Sequence, residues 1–490
     1  MLKNVLIANR GEIACRIIQT LKKMGIASTA VYHFADRGAP HVAAADHAIE
    51  LTATVPTAAY LDTAQLLAAA RTAGADAIHP GYGFLAENAV FAAAVEAAGL
   101  VFIGPQPEVI RLMGDKILAR EFAVAQGLPV APSCQQDGTL AEFVAQASAI
   151  GFPLLIKAAA GGGGKGMSIV RSAEELPARA STASSEALRY FADGRVYAER
   201  YLERPRHIEV QVFGDGRGHV VHLFERECSV QRRFQKIIEE SPAPNLPVAL
   251  RDRICAAAVQ LAAAAGYRNA GTVEFILAPD GEFYFLEMNT RLQVEHPVTE
   301  FVTGLDLVEL QLRLAGGEAF TLQQDDIKQT GHAFECRICA EQPEHDFRPA
   351  TGRIEILQPP QGAGVRFDGG LRVGLPITAA FDSMLAKLIT HAPTRAESAA
   401  RMRAALAELV LLGVDHNVDY LGRIFAHPEF LAGRLHTGFV VEQAAQLVAE
   451  PLTPATRAAV LLAAVLGTDE FSRLAYECPE PHASIGHWRN

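Results

Sequence analysis

Tryptophan occurs once in this chain, at Trp488, and cysteine only seven times in 490 residues. An odd number of scattered cysteines argues against a disulfide framework and for reduced thiols. Cys336 and Cys339 have C-x-x-C spacing, but a zinc site wants a second pair and the sequence has none. The flanking "HAFECRICAE" reads as a strand, on which positions three apart face opposite sides, so the pair is expected to be structural. Long apolar runs are also missing. The longest late one, "AAVLLAAVL" at Ala458–Leu466, falls far short of the ~18 residues of a membrane helix and reads as a packed helix. The opening "MLKNVLIANRGEI" has no Arg/Ser-rich transit pattern, and its apolar stretch Val5–Ala8 is too short for a signal segment. A cytoplasmic protein with no membrane partner is the expectation. Positive charge is in short supply: 44 Lys+Arg against 55 Asp+Glu give a net charge of −11. That speaks against a nucleic-acid partner while leaving room for a local basic pocket that holds a small anion. What the chain does have is a 50% hydrophobic content, enough for a large core, and a length that predicts about three domains.

The N-terminal third alternates strands ("NVLIA", "IASTAVYHF", "AIHP", "LVFIG") with Ala-rich helical stretches, the pattern of a parallel, doubly wound α/β domain. Its first turn, "ANRGEIA", carries one glycine rather than G-x-G-x-x-G, so the dinucleotide fingerprint is absent where it would have to be. A helix over Lys116–Gln126 leads to "GLPVAP" and then to a compact α+β segment. Residues 204–295 are β-rich, a helical stretch runs to about 318, and a second β-rich region opens at "DDIKQTGHAFECRICAE" and closes with the helix "TRAESAARMRAALAEL".

The α+β segment contains "KAAAGGGGKGMSIV". A Walker A loop, G-x-x-x-x-G-K-S/T, would need glycine at Ala159 and a hydroxyl at Gly166, so the match fails twice. Gly161, Gly163 and Gly166 satisfy G-x-G-x-x-G after the strand "FPLLIKA", but β-like "MSIV" follows where a dinucleotide loop must open a helix. The next helix is expected after Ser172, with "SAEE" as a capping box. The element is therefore a hairpin with glycines at its tip. It suits a mobile lid whose backbone N–H groups close over nucleotide phosphates; the alternative is a merely flexible turn.

A second hairpin, "TVEFILAPDGEFYFLEMN", turns at Asp280–Gly281 and sets Glu274 and Glu287 on adjacent strands among apolar neighbours. Buried carboxylates need partners, and two of them with Asn289 form an oxygen set suited to magnesium. In the following "NTRLQVEHP", Arg291 can take a planar oxyanion and Glu295 can act as a base; a simple Arg–Glu pair capping a helix fits the letters equally well.

Taken in order, "NVLIANRGEIACRI", "HPGYGFLAEN", "MGDK", "KAAAGGGGKGM", "HIEVQVFGD", "CSVQRRFQK", "FLEMNTRLQVEHPVTE", "ECRICAE" and "FDSMLAKLI" closely resemble the biotin carboxylase component of biotin-dependent carboxylases, an ATP-grasp family, over about residues 1–445. The resemblance is nearest to the α subunits of acyl-CoA carboxylases. It implies a Rossmann-like N-terminal domain (1–114), an ATP-grasp domain (115–330) with a glycine-rich lid at about 131–203, a β-rich C-terminal domain (331–447), and a helical tail leading into a linker (448–490).

The implied reaction joins ATP and bicarbonate into carboxyphosphate and then carboxylates biotin on a carrier domain. The resemblance assigns Lys116 and Lys157 to the ATP phosphates, under a lid of Gly161, Gly162, Gly163, Gly164, Lys165 and Gly166. Glu199, His207 and Gln231 line the nucleotide site, and Lys236 meets the transferred phosphate or bicarbonate. Glu274, Glu287 and Asn289 match the Mg2+ (or Mn2+) positions. Arg291, Gln293 and Val294 match the bicarbonate site, Glu295 its base, and Arg337 the arginine that stabilises the biotin enolate. Phe234 departs from the pattern, since the family usually has a polar residue there, often His; Lys165 replaces a commoner Arg. The "AMKM"-like biotinylation motif does not occur, so the resemblance implies a carrier elsewhere, either on another polypeptide or beyond a truncated end. A carboxyltransferase partner and a homodimer or larger α/β assembly are also implied. The biotin carboxylase of a pyruvate or urea carboxylase, or a different ATP-grasp ligase, is the competing reading.

Overall fold

The computed structural model describes residues 2–135, 138–158, 167–191, 193–449 and 451–466. The described residues fall into two units, divided after Leu447.

The larger unit begins with a parallel sheet of five strands: β1 (Asn4–Ile7), β2 (Ala27–His33), β3 (His47–Leu51), β4 (Ala77–His79) and β5 (Val101–Phe102), in the order β3-β2-β1-β4-β5. Four of these are the strands read from the sequence. The fifth, β3, was not, because this edge strand is short and mostly exposed and so lacks a run of buried apolar residues. The helix after β1, Gly11–Met24, buries Ile13, Ile17, Ile18 and Leu21, the three-and-four spacing that turns one helical face to a sheet.

A second, antiparallel sheet contains β6 (Ser133–Gln135), β7 (Leu154–Ala158), β8 (Ser168–Val170) and β9 (Val196–Arg200), in the order β6-β9-β7-β8. Leu154 pairs with Val170 and Ile156 with Ser168, so the glycine stretch joins two strands of a hairpin, as its flanks implied. Gly161–Gly166 and Lys165 lie outside the described residues. The next helix runs over Leu176–Phe191 rather than starting after Ser172. Pro177 gives the reason: without an N–H it is tolerated in a first turn but would break a helix already begun at Ala173.

The third sheet is the framework of the cleft described below. Its named strands are β10 (Arg206–Asp215), β11 (Val220–Arg232), β12 (Gln235–Ser241), β13 (Arg268–Leu277), β14 (Phe283–Asn289) and β15 (His332–Cys339), followed by Met384–Ala392 and Val365–Gly369 at one edge. The order is β14-β13-β10-β11-β12-β15 and then those two strands, with antiparallel pairing throughout. The sheet thus runs on without a break past residue 330. Along β10 and the facing part of β13, alternation governs the two faces. Ile208, Val210, Val212, Val273 and Phe275 point to an apolar layer with Ile254, Ala258 and Leu261 of the helix Val248–Ala264. Each such side chain contributes roughly 1.5–3 kcal/mol by its burial. The opposite face carries His207, Glu209, Gln211, Thr272 and Glu274, all buried as well. A polar face at that depth must be satisfied by its own members.

Cys336 and Cys339 are free and buried on β15, and Cys336 packs in the apolar core with Phe334 and Ile338. Burial pushes the Cys339 thiol up to about 12. The apolar run at Ala458–Leu466 is helical, within Pro454–Leu466, but no described residue of that helix is buried. The expected packing is therefore corrected to an exposed helix, with Val460, Leu461 and Leu462 at more than half exposure. Among the described residues no helix is long and apolar enough to cross a membrane.

Candidate active site

Four charged residues form one row straight across the large sheet. Arg226 on β11 pairs in register with Glu209 on β10, Glu209 with Glu274 on β13, and Glu274 with Glu287 on β14. Because neighbouring strands lie about 4.8 Å apart, this register sets three carboxylates side by side. Like charges so close demand cations, and the structure supplies them from Arg226 within the row and from lysines outside it.

Lys236, on β12, reaches over the row. Its ammonium lies 2.5 Å from Glu209 Oε2, 2.8 Å from Glu274 Oε1 and 2.7 Å from Glu295 Oε1. The three carboxylates hold its pKa well above the usual lysine value, although burial opposes them. Glu274 Oε1 also accepts from Asn289 Nδ2 at 2.9 Å and Gln293 Nε2 at 2.9 Å, while Oε2 lies 2.9 Å from His207 Nε2. Burial alone would raise the Glu274 pKa; Lys236 first, then His207, outweigh it and hold the carboxyl well below its ordinary range. Gln231 Nε2 stands 2.9 Å from His207 Nδ1 and completes that corner.

Glu287 takes a different lysine. Lys116 opens a helix capped by Asp115, which accepts from Ile117 N and Leu118 N, and its ammonium lies 2.8 Å from Glu287 Oε2. Burial again works against the charge on Glu287, and Lys116 brings its pKa down. Lys157 on β7 is ion-paired to Glu199 on β9, two residues along from its direct partner Tyr197. Arg120 adds a looser contact to Glu199 at 3.6 Å.

Arg291 and Glu295 do not form the helix-capping pair that the letters allowed. Arg291 Nε donates to Glu87 Oε2 at 2.7 Å and Nη2 donates to Asn289 Oδ1 at 3.0 Å. Glu295 stands just before the helix His296–Thr303 but caps none of its N–H groups. Besides Lys236, it accepts from Arg337 Nη2 at 2.9 Å, and Arg337 Nε donates to Glu239 Oε1 at 2.6 Å. Burial raises the Glu295 pKa, but Lys236, Arg337 and Arg226 together hold it well below the ordinary carboxylate range. The Val294 carbonyl accepts from the buried Lys387 at 2.9 Å, which pins the backbone before Glu295.

Lys116, Lys157, Lys236, Glu274, Glu287 and Glu295 all line one cleft of about 490 Å³. Every candidate residue named from the sequence lines it, apart from those in the glycine loop that lie outside the described residues. Phe234 is there too. It sits at the tip of the β11–β12 hairpin with φ of 65°, and its ring is 47% exposed at the position where the resemblance implies a polar side chain in the family. Sequence reasoning missed Glu209, Glu239, Glu87 and Arg226, which hold Lys236, Arg337, Arg291 and Gln293 in place. A signal for Glu209 was present: "HIEVQVF" alternates polar and apolar residues over a strand whose polar side need not be wet.

As a donor set, Glu274, Glu287 and Asn289 offer hard oxygen ligands from two paired strands, and their charges are at present balanced by Lys236 and Lys116. That fits a divalent cation of the magnesium type arriving with an anionic ligand, since Mg2+ takes one or two carboxylates plus phosphate oxygens. Lys116, beside Glu287, and Lys157, beside Glu199, line the same cleft and can meet that ligand's negative charge.

Comparison with known proteins gives matches along the whole larger unit. Residues 1–110 match the family model of the biotin carboxylase N-terminal domain, residues 115–323 that of the carbamoyl-phosphate synthase L chain ATP-binding domain, and residues 335–442 that of the biotin carboxylase C-terminal domain. The chain is 48% identical over 439 residues to a biotin carboxylase of Nostoc sp., covering 89% of this chain and 98% of that one. It is 44% identical over 490 residues to the mitochondrial methylcrotonoyl-CoA carboxylase subunit alpha of Dictyostelium discoideum, covering 99% of this chain and 70% of that one. Among solved structures, the biotin carboxylase domain dimer of Hydrogenobacter thermophilus 2-oxoglutarate carboxylase, in complex with MgADP, ADP and bicarbonate, superposes with a TM-score of 0.89 at 43% identity, covering 92% of this chain and all of that one.

Proposed function

Because the chain belongs to the biotin carboxylase family of ATP-grasp ligases, we propose that the cleft built on the Arg226–Glu209–Glu274–Glu287 row is where ATP and bicarbonate are joined and biotin is carboxylated. The observation that carries this reading is the arrangement of charge. Two lysines stand beside Glu287 and Glu199 at one end, and Lys236 and Arg337 converge on Glu295 at the other. One end suits a polyphosphate, the other a small oxyanion next to a base.

Lys116 and Lys157 take the ATP phosphates, with Gly161–Gly166 as the lid and Glu199, His207 and Gln231 lining the nucleotide site. Magnesium held by Glu274, Glu287 and Asn289 supplies charge neutralisation at the phosphates when bound. Arg291, Gln293 and Val294 hold bicarbonate. Glu295 removes its proton, and the freed oxygen attacks the terminal phosphorus of ATP, so that ADP leaves and carboxyphosphate forms. Glu295 is already ionised, the state a base requires, but its two cationic neighbours weaken it. Its basicity rises when Lys236 turns to the transferred phosphoryl group and Arg337 to the biotin ureido oxygen. Closing the cleft protects carboxyphosphate from water.

The biotin is carried on a separate domain or polypeptide and is passed to a carboxyltransferase, with this chain working as a dimer or in a larger assembly in the cytoplasm. An acyl-CoA carboxylase is the favoured setting, because the match to the Dictyostelium subunit takes in nearly all of this chain, including its tail. The test is direct. Purified chain with Mg2+ should hydrolyse ATP only when bicarbonate is present and faster when biotin is added; turnover indifferent to both would sink the proposal.

A further inference from the structure

The guanidinium of Arg226 is fully buried and donates to five different residues. Nε donates to Glu209 Oε1 at 2.6 Å. Nη1 donates to Gln211 Oε1 at 2.8 Å and Thr299 Oγ1 at 2.9 Å. Nη2 donates to Thr272 Oγ1 at 3.1 Å and Gln293 Oε1 at 2.8 Å. An arginine has five N–H donors and no acceptor, so this set uses every one.

The last contact has a consequence for Gln293. An amide can turn either end toward a neighbour, and its surroundings choose which. Arg226 can only donate, so the oxygen of Gln293 must face it. The NH2 group must then face the other way, where one hydrogen goes to Glu274 Oε1 at 2.9 Å and the second remains for a ligand. Turned over, the amide would set N–H against a guanidinium and its carbonyl against a buried carboxylate, two unpaired and repulsive contacts.

We propose that Arg226, which does not line the cleft, is a positioning residue that fixes the polarity of the anion pocket by locking the Gln293 amide with its donor side toward bicarbonate. The inference rests on reading Arg291, Gln293 and Val294 as the bicarbonate site. The same guanidinium holds Glu209 under Lys236, so a single buried cation ties the anion pocket to the lysine that serves it.

The test is a double-mutant cycle read as KM. In Arg226→Lys the ammonium cannot serve five acceptors, and bicarbonate KM should rise about tenfold, the cost of one hydrogen bond to an anion, while ATP KM changes less than about threefold. In a Gln293→Leu background the same Arg226→Lys change should add little further to bicarbonate KM. Equal shifts in both KM values, or an additive cycle, would overturn the proposal. If Arg226→Lys does not fold, Gln293→Glu decides: it still satisfies Arg226 but presents an acceptor to the anion, so bicarbonate KM should rise at least tenfold with ATP KM unchanged, and an unaltered bicarbonate KM would overturn the proposal. Arg291→Ala keeps the two levels apart. If it leaves bicarbonate KM untouched, the pocket reading itself fails; if it raises KM and the Arg226 and Gln293 variants do not, only the positioning role fails.

Discussion

The ammonium of Lys236 lies 2.7 Å from Oε1 of Glu295. The two residues are 59 positions apart in sequence, one on β12 and the other ahead of the helix at His296. Lys236 is also the only described lysine in contact with Glu209, Glu274 and Glu295 together. It is thus the keystone of the carboxylate cluster before substrate arrives and the proposed phosphoryl contact afterwards.

Lys236→Met should therefore damage both stability and turnover. Three carboxylates would share a buried space with their shared cation gone, at a cost of about 3–5 kcal/mol. Loss of one electrostatic contact to the transferred group should lower kcat by about 10²–10³-fold. Urea unfolding and the bicarbonate-dependent ATPase rate measure the two effects; a variant within threefold of the parent rate would remove Lys236 from the reaction.

Glu287→Gln should act on the metal. Its carboxylate is held by Lys116 in the present structure and is proposed to exchange that partner for magnesium. The Mg2+ concentration for half-maximal ATPase should rise about 10–100-fold, the usual penalty at such sites, with partial rescue at high Mg2+. An unchanged Mg2+ requirement would place the ion elsewhere.

Arg337→Ala should separate the two half-steps. Arg337 spans Glu239 and Glu295 and touches none of the residues proposed to hold ATP phosphates. Bicarbonate-dependent ATP hydrolysis should persist within about an order of magnitude, whereas biotin carboxylation should fall at least 10²-fold. Coupled HPLC assays of ADP and carboxybiotin report both; parallel losses would assign Arg337 to phosphoryl transfer.

Acid stability follows from the depressed carboxyls. For Glu274 and Glu295 burial is the largest influence and raises the pKa, but Lys236 leads the cations that bring both below the ordinary value of 4.5. A carboxyl with a lowered folded pKa adds stability above its unfolded value and loses it as pH falls through the folded value. The urea midpoint should therefore decline as pH drops below 4.5. Glu274→Gln, less stable at pH 7 because Lys236 and His207 lose a partner, should decline less steeply over that acid range. Parallel curves would mean that Glu274 does not titrate there.

Much of this site was legible in the sequence. The Asp280–Gly281 turn set Glu274 and Glu287 on the two strands of one hairpin, but its register continued from Phe275–Phe285 would put Glu274 opposite Leu286; an irregularity in the pairing just past Phe275 brings Glu287 across instead. The strand after "GGGGKGM" made the glycine stretch a hairpin, and β7 and β8 pair accordingly. What the letters could not supply was pairing between distant strands. Glu209 and Arg226 become neighbours only once β10 lies between β11 and β13, and nothing local announces that order. Glu87 meets Arg291 across 204 positions for the same reason. The helix at Pro454–Leu466 misled in the opposite way, since apolar content alone does not say that a face is covered.

The central claim is that bicarbonate itself attacks ATP in this cleft, and isotope transfer tests it most directly. With 18O-labelled bicarbonate in ordinary water, single-turnover reactions with biotin should yield inorganic phosphate carrying one 18O atom from bicarbonate per ATP consumed. If the phosphate instead takes its new oxygen from water, bicarbonate is not the nucleophile and the account of Glu295, Lys236 and the anion pocket is wrong.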